Sequence, residues 1–204
     1  SANARDPFEN IGKSIESIEN LISDGWAKSD DVTSWMELVT GKDYSGEDAT
    51  KIRDDFYKIK ELIGDFYTFD KDGDLTNKGI FNFFDLVEEK MPEFVKTLDD
   101  GSKYYDLTGD NILKLAEKLG LSAEFIELIA RAAEDAGFKV NWDNKFGVDN
   151  IDKALENAKK NLTKLNKDAL VLPINFELES GTEEFEQQNK QIEEQINNLK
   201  KQLE

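Results

Sequence analysis

Apolar residues recur at spacings of three and four along most of the chain, which is the repeat of amphipathic helices. The stripes lie at residues 8–22, 26–39, 52–66, 80–91, 112–119, 125–133 and 151–165. Tryptophans at positions 26 and 35 fall on the second stripe and are expected to be core anchors. The pattern therefore predicts a mainly α fold with six to eight helices.

Polar residues and glycines mark where these helices should begin and end. Asp30 or Asp31 is the expected N-cap of the second helix, and Gly41 is its expected stop. Ser45 or Asp48 is expected to cap the third helix. Each assignment rests on a side chain that can accept a backbone hydrogen bond, or on a glycine that can leave the helical conformation.

Residues 108–137 are expected to form a pair of helices separated by a tight turn. Thr108 is the expected cap of the first helix and Gly120 its stop, while Ser122 should cap the second and Gly137 end it. The outline matches a helix-turn-helix, but a DNA-reading helix needs lysine and arginine. The second helix instead carries four acidic residues against one arginine. We therefore expect an αα-hairpin that binds no nucleic acid.

Two short stretches alternate between apolar and polar residues, as half-buried strands do. They are residues 138–142 and 172–178, and Pro173 restricts the second to a sheet edge. Together they predict a small two-stranded ribbon.

The last helix, from residue 181, carries a heptad repeat. Its d positions are Phe185, Ile192 and Leu199, and its a positions are Asn189, Ile196 and Leu203.

The composition excludes several classes of function. The chain of 204 residues has no cysteine and no histidine, and its formal charge is −18. Cys/His and Ser/His catalysis, zinc fingers and disulfides are therefore excluded. The negative charge repels nucleic acid and anionic membranes and favours cations, basic partners or simple solubility. No apolar run approaches 18 residues, so no membrane-spanning segment is expected.

The acidic turn at residues 70–74 is the one candidate metal site. Asp70, Asp72 and Asp74 fill positions 1, 3 and 5 of an EF-hand-like loop between two predicted helices. Leu75 stands where that loop needs glycine, and Phe81 where it needs a bidentate glutamate. Two interpretations follow: a weak calcium site that uses the three aspartates, or a charged turn whose aspartates cap backbone N–H groups. Asp106 and Asp110 form a weaker acidic pair, for which capping is expected.

Three segments resemble parts of the tail tape measure proteins of phages and prophages of Gram-positive bacteria. They are Phe69–Val87, Tyr104–Asp143 and Gly181–Glu204, with sequences such as GIFNFFDLV and LAEKLGLS. The resemblance implies a non-enzymatic structural role in tail-length determination and assembly, and a location in the virion tail after assembly in the host cytoplasm. Some family members carry peptidoglycan-cleaving domains, but no segment here matches one, so no catalytic residue is transferred.

The resemblance also implies a globular piece of a longer chain. A ruler needs hundreds of helical residues at about 1.5 Å each. The opening Ser1–Ala4 without methionine, and an end within a heptad, agree with this expectation. We expect a helical domain at 5–144, a connecting helix and strand at 145–180, and a coiled-coil segment at 181–204.

Expected partners are a second copy of the chain, through the coiled coil, and other tail proteins. No cofactor is expected unless the acidic turn binds calcium. The alternative function is a calcium-responsive binding module of a surface or secreted protein.

Overall fold

A computed structural model describes residues 7–63, 68–69, 71–72, 75–76, 78–169 and 182–203. The chain divides into two compact units, unit 1 (Ser1–Glu156) and unit 2 (Asn157–Glu204). The described helices are α1 (Pro7–Ser23), α2 (Asp30–Thr40), α3 (Ala49–Ile63), α4 (Lys78–Lys90), α5 (Asp110–Leu119), α6 (Ala123–Asp135), α7 (Val148–Ala169) and α8 (Thr182–Leu203). The described strands are β1 (Thr68–Phe69), β2 (Leu75–Thr76), β3 (Val95–Thr97), β4 (Lys103–Leu107) and β5 (Lys139–Trp142). The prediction of a mainly α fold is confirmed.

The core of unit 1 forms where the apolar stripes of α1, α2, α3, α4 and α6 meet. Trp35 is buried, as predicted, and its ring lies 5.7 Å from that of Phe56. Its indole N–H donates to the hydroxyl oxygen of Ser14 at 3.1 Å, and that hydroxyl donates to the carbonyl of Ile11. A large ring is therefore buried without leaving its polar edge unsatisfied. Trp26 is only half-buried.

The caps of α2 and α3 were predicted with one error. Ser29, and neither Asp30 nor Asp31, is the N-cap of α2: its backbone is extended and its hydroxyl accepts from the Val32 N–H. The two aspartates instead occupy the first turn, where the helix dipole favours negative charge. Gly41 ends α2 in the left-handed conformation, and Asp48 accepts from the Lys51 N–H at 2.8 Å, so both of those predictions are confirmed.

The helix pair at 108–137 is confirmed as α5 and α6, with one wrong cap. Gly120 ends α5, and the Ser122 hydroxyl accepts from the Phe125 N–H at 3.1 Å. Thr108, however, does not cap α5. The N-cap is Gly109, whose φ of 55° is a conformation that residues with a side chain rarely adopt. α6 ends two residues before Gly137, which also has a positive φ.

A three-stranded sheet lies in unit 1, with the order β3-β4-β5. The strand predicted at residues 138–142 is confirmed as β5. Its observed partner is β4, which runs parallel to it with Tyr105 opposite Val140. The connection between them is the α5–α6 pair, since parallel strands need a long crossover. The stretch 172–178, the predicted partner, lies outside the described residues.

Unit 2 contains the end of α7 and the whole of α8. The helix predicted at residues 151–165 is confirmed within α7. α8 is continuous over 22 residues. Among the helices in the described part of the chain, none is long and apolar enough to cross a membrane.

Candidate functional site

The acidic turn lies in the connection between α3 and α4. β1 and β2 pair antiparallel, with Thr68 opposite Thr76 and Phe69 opposite Leu75. The strands β1 and β2 flank the acidic turn in the sequence, and their pairing was not predicted.

Of the three aspartates in this turn, the structure describes one. Asp72 is exposed in the loop, whereas Asp70 and Asp74 lie outside the described residues. Within the described ranges, no group of three or more metal-binding side chains of the Asp, Glu, His or Cys type lies together. The calcium site and the EF-hand geometry stay predictions, as does the alternative of a charged turn.

The second acidic pair has a structural role at the end of β4. The carboxylate of Asp106 accepts from the backbone N–H of Thr108 at 3.2 Å and from the Thr108 hydroxyl. Asp143, which follows β5, accepts from the Gly109 N–H at 2.6 Å. Capping by Asp106 is thus confirmed. Asp110, for which capping was also expected, is an exposed residue of the first turn of α5, and the N-cap is Gly109. These aspartates hold the turn that starts the helix pair.

α6 contains a buried carboxylate, Glu127, that the sequence pattern did not single out. Glu127 is 1% exposed, and its two carboxylate oxygens accept from the backbone N–H groups of Lys145 and Phe146 at 2.7 and 2.6 Å. It therefore fixes the loop that leads into α7. The sequence signal that could have indicated its burial is its position within an apolar run, with Phe125 and Ile126 before it and Leu128 and Ile129 after it. In the structure, residues 125–130 are all buried.

A second buried polar pair links the first and seventh helices within unit 1. The amide of Asn10 donates to the carboxylate of Asp152 at 2.9 Å, and both side chains are buried. Buried polar groups are costly unless they are hydrogen-bonded. Both partners here belong to the fold, so this pair is a structural link and not a reactive constellation.

A groove of about 650 Å³ lies between α2, the start of α6 and the start of α7. Leu38, Phe146 and Ile151 supply apolar surface, and Glu37 and Glu124 supply negative charge. The lining contains no lysine, arginine or nucleophile activated by a base. Its chemistry suits the packing of a side chain or a helix better than a reaction.

The heptad positions of α8 differ in exposure from their neighbours. Ile192, Ile196, Leu199 and Leu203 are half-buried, and most residues between them are exposed. Asn189, the polar a position, is exposed, and the side chain of Phe185 lies outside the described residues. The apolar positions thus follow one seam of the helix, which is the arrangement that coiled-coil helices require.

Comparison of the chain with protein-family models, with curated proteins and with solved structures found no match.

Proposed function

We propose that this chain is a non-enzymatic structural segment of a phage tail tape measure protein, acting in tail-length determination and assembly. The observation that carries the proposal is α8, a 22-residue helix whose described apolar residues keep a heptad spacing. The order of the acidic turn, the helix pair and this helix supports it through the resemblance. Unit 1 would serve as a folded body, and α8 as the part that associates with a second copy.

The buried polar groups of unit 1 support the same proposal. Glu127 and Asp152 are buried carboxylates of a kind that can act in catalysis, but each accepts hydrogen bonds that hold the fold. Asp106 likewise caps a turn. Such groups stabilise a scaffold, which is what a structural segment requires.

Association through α8 is tested by sedimentation over a range of concentrations. The chain is expected to self-associate, and Ile196→Asp should make it monomeric because a charge would enter the apolar seam. Asn198→Asp, at an exposed c position that faces away from the seam, is the matched control and should leave association unchanged. A monomer at high concentration would count against the proposal.

Location is tested on particles induced from cells that carry the gene. Tails are purified, digested and analysed by mass spectrometry, and an antibody against residues 7–156 is applied to broken tails in the electron microscope. The proposal expects peptides of this chain in the tail fraction. Their absence from tails, together with their presence in the cell envelope or medium, would overturn it.

The alternative function is a calcium-responsive binding module of a surface or secreted protein. The observation that favours it is the exposure of Asp72 in the acidic turn, where a cation has access. This alternative predicts that calcium stabilises the fold, because a ligand that binds only the folded state raises its melting temperature.

A further inference from the structure

A small pocket of about 280 Å³ lies between the α2–α3 loop, α3 and the end of α5 in unit 1. Its lining combines two kinds of side chain. It contains the lysines Lys42, Lys51 and Lys58 and the apolar residues Ile59, Leu62 and Leu119. Cationic and apolar groups thus face the same space.

The positive charge of this pocket contrasts with the charge of the chain, which is −18. Lys51 pairs with Asp55 at 3.0 Å. Lys42 and Lys58 form no ion pair with any residue in the described ranges, although both line the pocket. Among the lining residues, three lysines and one aspartate leave an excess of two positive charges. Glu47 and Asp54, outside the lining, act on Lys51 and offset part of this excess.

Asp55 holds two of the polar lining residues, Tyr44 and Lys51, in place. Its carboxylate accepts from the hydroxyl of the buried Tyr44 at 2.9 Å and from Lys51. Burial works against the charged carboxylate, but the hydrogen bonds from Lys51 and Tyr44 outweigh it and lower the pKa of Asp55. Asp55 therefore stays ionised, accepts hydrogen bonds from Lys51 and Tyr44, and is also stabilised by the charge of Lys58. Within the described ranges, the ammonium groups of Lys42 and Lys58 donate no hydrogen bond, so both can donate to a ligand.

The apolar residues of the lining are only partly covered by the protein. Ile59 is buried, whereas Leu62 and Leu119 are half-buried and face the same pocket. Covering this remaining apolar surface is favourable, at about a threefold to fourfold gain in affinity for each buried CH₂ group. An inorganic anion would leave that surface uncovered.

We propose that this pocket binds a small organic anion, a carboxylate that carries a compact aliphatic group. Lys42 and Lys58 contact the carboxylate, and Leu62 and Leu119 cover the aliphatic group. The volume of about 280 Å³ lies just below the usual range for small-molecule sites, which limits the ligand to a few carbon atoms. This inference is independent of the proposed structural role of the chain.

Calorimetric titration of the full chain at low salt tests the proposal with acetate, butyrate and hexanoate. Affinity is expected to rise along the series, and hexanamide, which lacks the charge, should bind at least tenfold more weakly than hexanoate. Inorganic phosphate is the probe for charge alone. Phosphate binding as tight as hexanoate, or affinity that does not rise with chain length, would overturn the proposal.

Substitutions of the lining residues test whether the carboxylate binds in this pocket. Lys42→Gln combined with Lys58→Gln should weaken hexanoate binding by at least tenfold, and Leu62→Asn should remove the dependence on chain length. Lys96→Gln combined with Lys114→Gln, at exposed positions away from the lining, is the matched control and should bind as the parent chain does. Lysine substitutions require no repacking of the core, so unchanged binding in the first pair would locate the ligand elsewhere and reject this site.

Discussion

Asn10 in α1 donates a hydrogen bond of 2.9 Å to Asp152 in α7, a residue 142 positions further along the chain. Asp152 is completely buried and Asn10 is 3% exposed. The bond therefore connects the first helix of unit 1 to its last, in a place where water does not replace a lost partner. Breaking it should affect the stability of the whole unit.

We expect Asp152→Ala to lower the free energy of unfolding by about 2 kcal/mol, because the Asn10 amide loses a buried acceptor. Urea unfolding followed by circular dichroism measures the change. Asp149→Ala is the matched control on the same helix: its carboxylate is 75% exposed and pairs with Arg131, so a loss below about 0.5 kcal/mol is expected. Equal losses in the two variants would contradict the role assigned to the buried pair.

Glu127 should control the loop before α7 more than any exposed carboxylate of α6. Glu127→Ala removes two charge-assisted hydrogen bonds to backbone N–H groups, so we expect a loss of about 3 kcal/mol. Hydrogen exchange gives a local measurement, since the amides of Lys145 and Phe146 should exchange faster in the variant. Glu124→Ala, on the first turn of the same helix, should leave both amides protected. Unchanged exchange in Glu127→Ala would show that the loop is held by other contacts.

Local features of this fold could be predicted from the sequence, because their causes are local. The stop at Gly41, the cap at Asp48 and the cap at Ser122 each depend on a residue and its next few neighbours. The error in the N-cap of α2 also has a local cause. Ser29, Asp30 and Asp31 each have a side chain that can cap a helix, and the structure uses Ser29, whose backbone is extended. The side-chain chemistry of three consecutive capping residues does not by itself decide which of them is the N-cap.

Features that depend on remote partners were missed. β4 has no clean alternation of apolar and polar residues, and it is a strand because β5 pairs with it after the α5–α6 crossover. The lysine-lined pocket joins Lys42 and Lys58 to Leu119, which lies in another helix. The roles of Glu127 and Asp152 likewise require a partner that the local pattern does not indicate.

The polar a position of α8 leads to a prediction about register. If two copies associate in parallel through this helix, Asn189 faces Asn189 of the second copy, and such pairs favour one register and the dimer at a cost in stability. Asn189→Ile should therefore raise the melting temperature of the assembly and broaden its distribution of oligomers. Sedimentation velocity measures the distribution. Asn197→Ile, outside the seam, should do neither, and the same broadening there would contradict the assigned register.

Calcium separates the two interpretations of the acidic turn. The strands that flank the turn, β1 and β2, pair through their backbones without a metal ion. Under the structural interpretation, millimolar calcium therefore leaves the melting temperature unchanged relative to magnesium. Under the alternative function, calcium raises it and Asp72→Ala removes the rise. Differential scanning fluorimetry of the parent chain and of Asp72→Ala, each with calcium and with magnesium, distinguishes the two interpretations. A calcium-specific rise in melting temperature that depends on Asp72 would contradict the charged-turn interpretation and support a metal site.

Tyr44 should make the stability of unit 1 sensitive to alkaline pH. Burial, followed by the hydrogen bond to Asp55, raises the pKa of Tyr44 to about 12 from an ordinary value near 10. Because the folded state then holds the phenolic proton more tightly than the unfolded state, the contribution of Tyr44 to stability is fully present below about pH 10. It is lost as the pH rises towards 12.

We therefore expect the melting temperature of the parent chain to fall more steeply between pH 10 and 12 than that of Tyr44→Phe, which has no phenol to ionise at this position. The same variant should lose about 1 kcal/mol at neutral pH, because Asp55 loses one hydrogen-bond donor. Tyr57→Phe is the matched control, since Tyr57 is 41% exposed on the same helix as Asp55. Profiles of Tyr44→Phe and the parent chain that coincide across this range would show that Tyr44 ionises alike in both states.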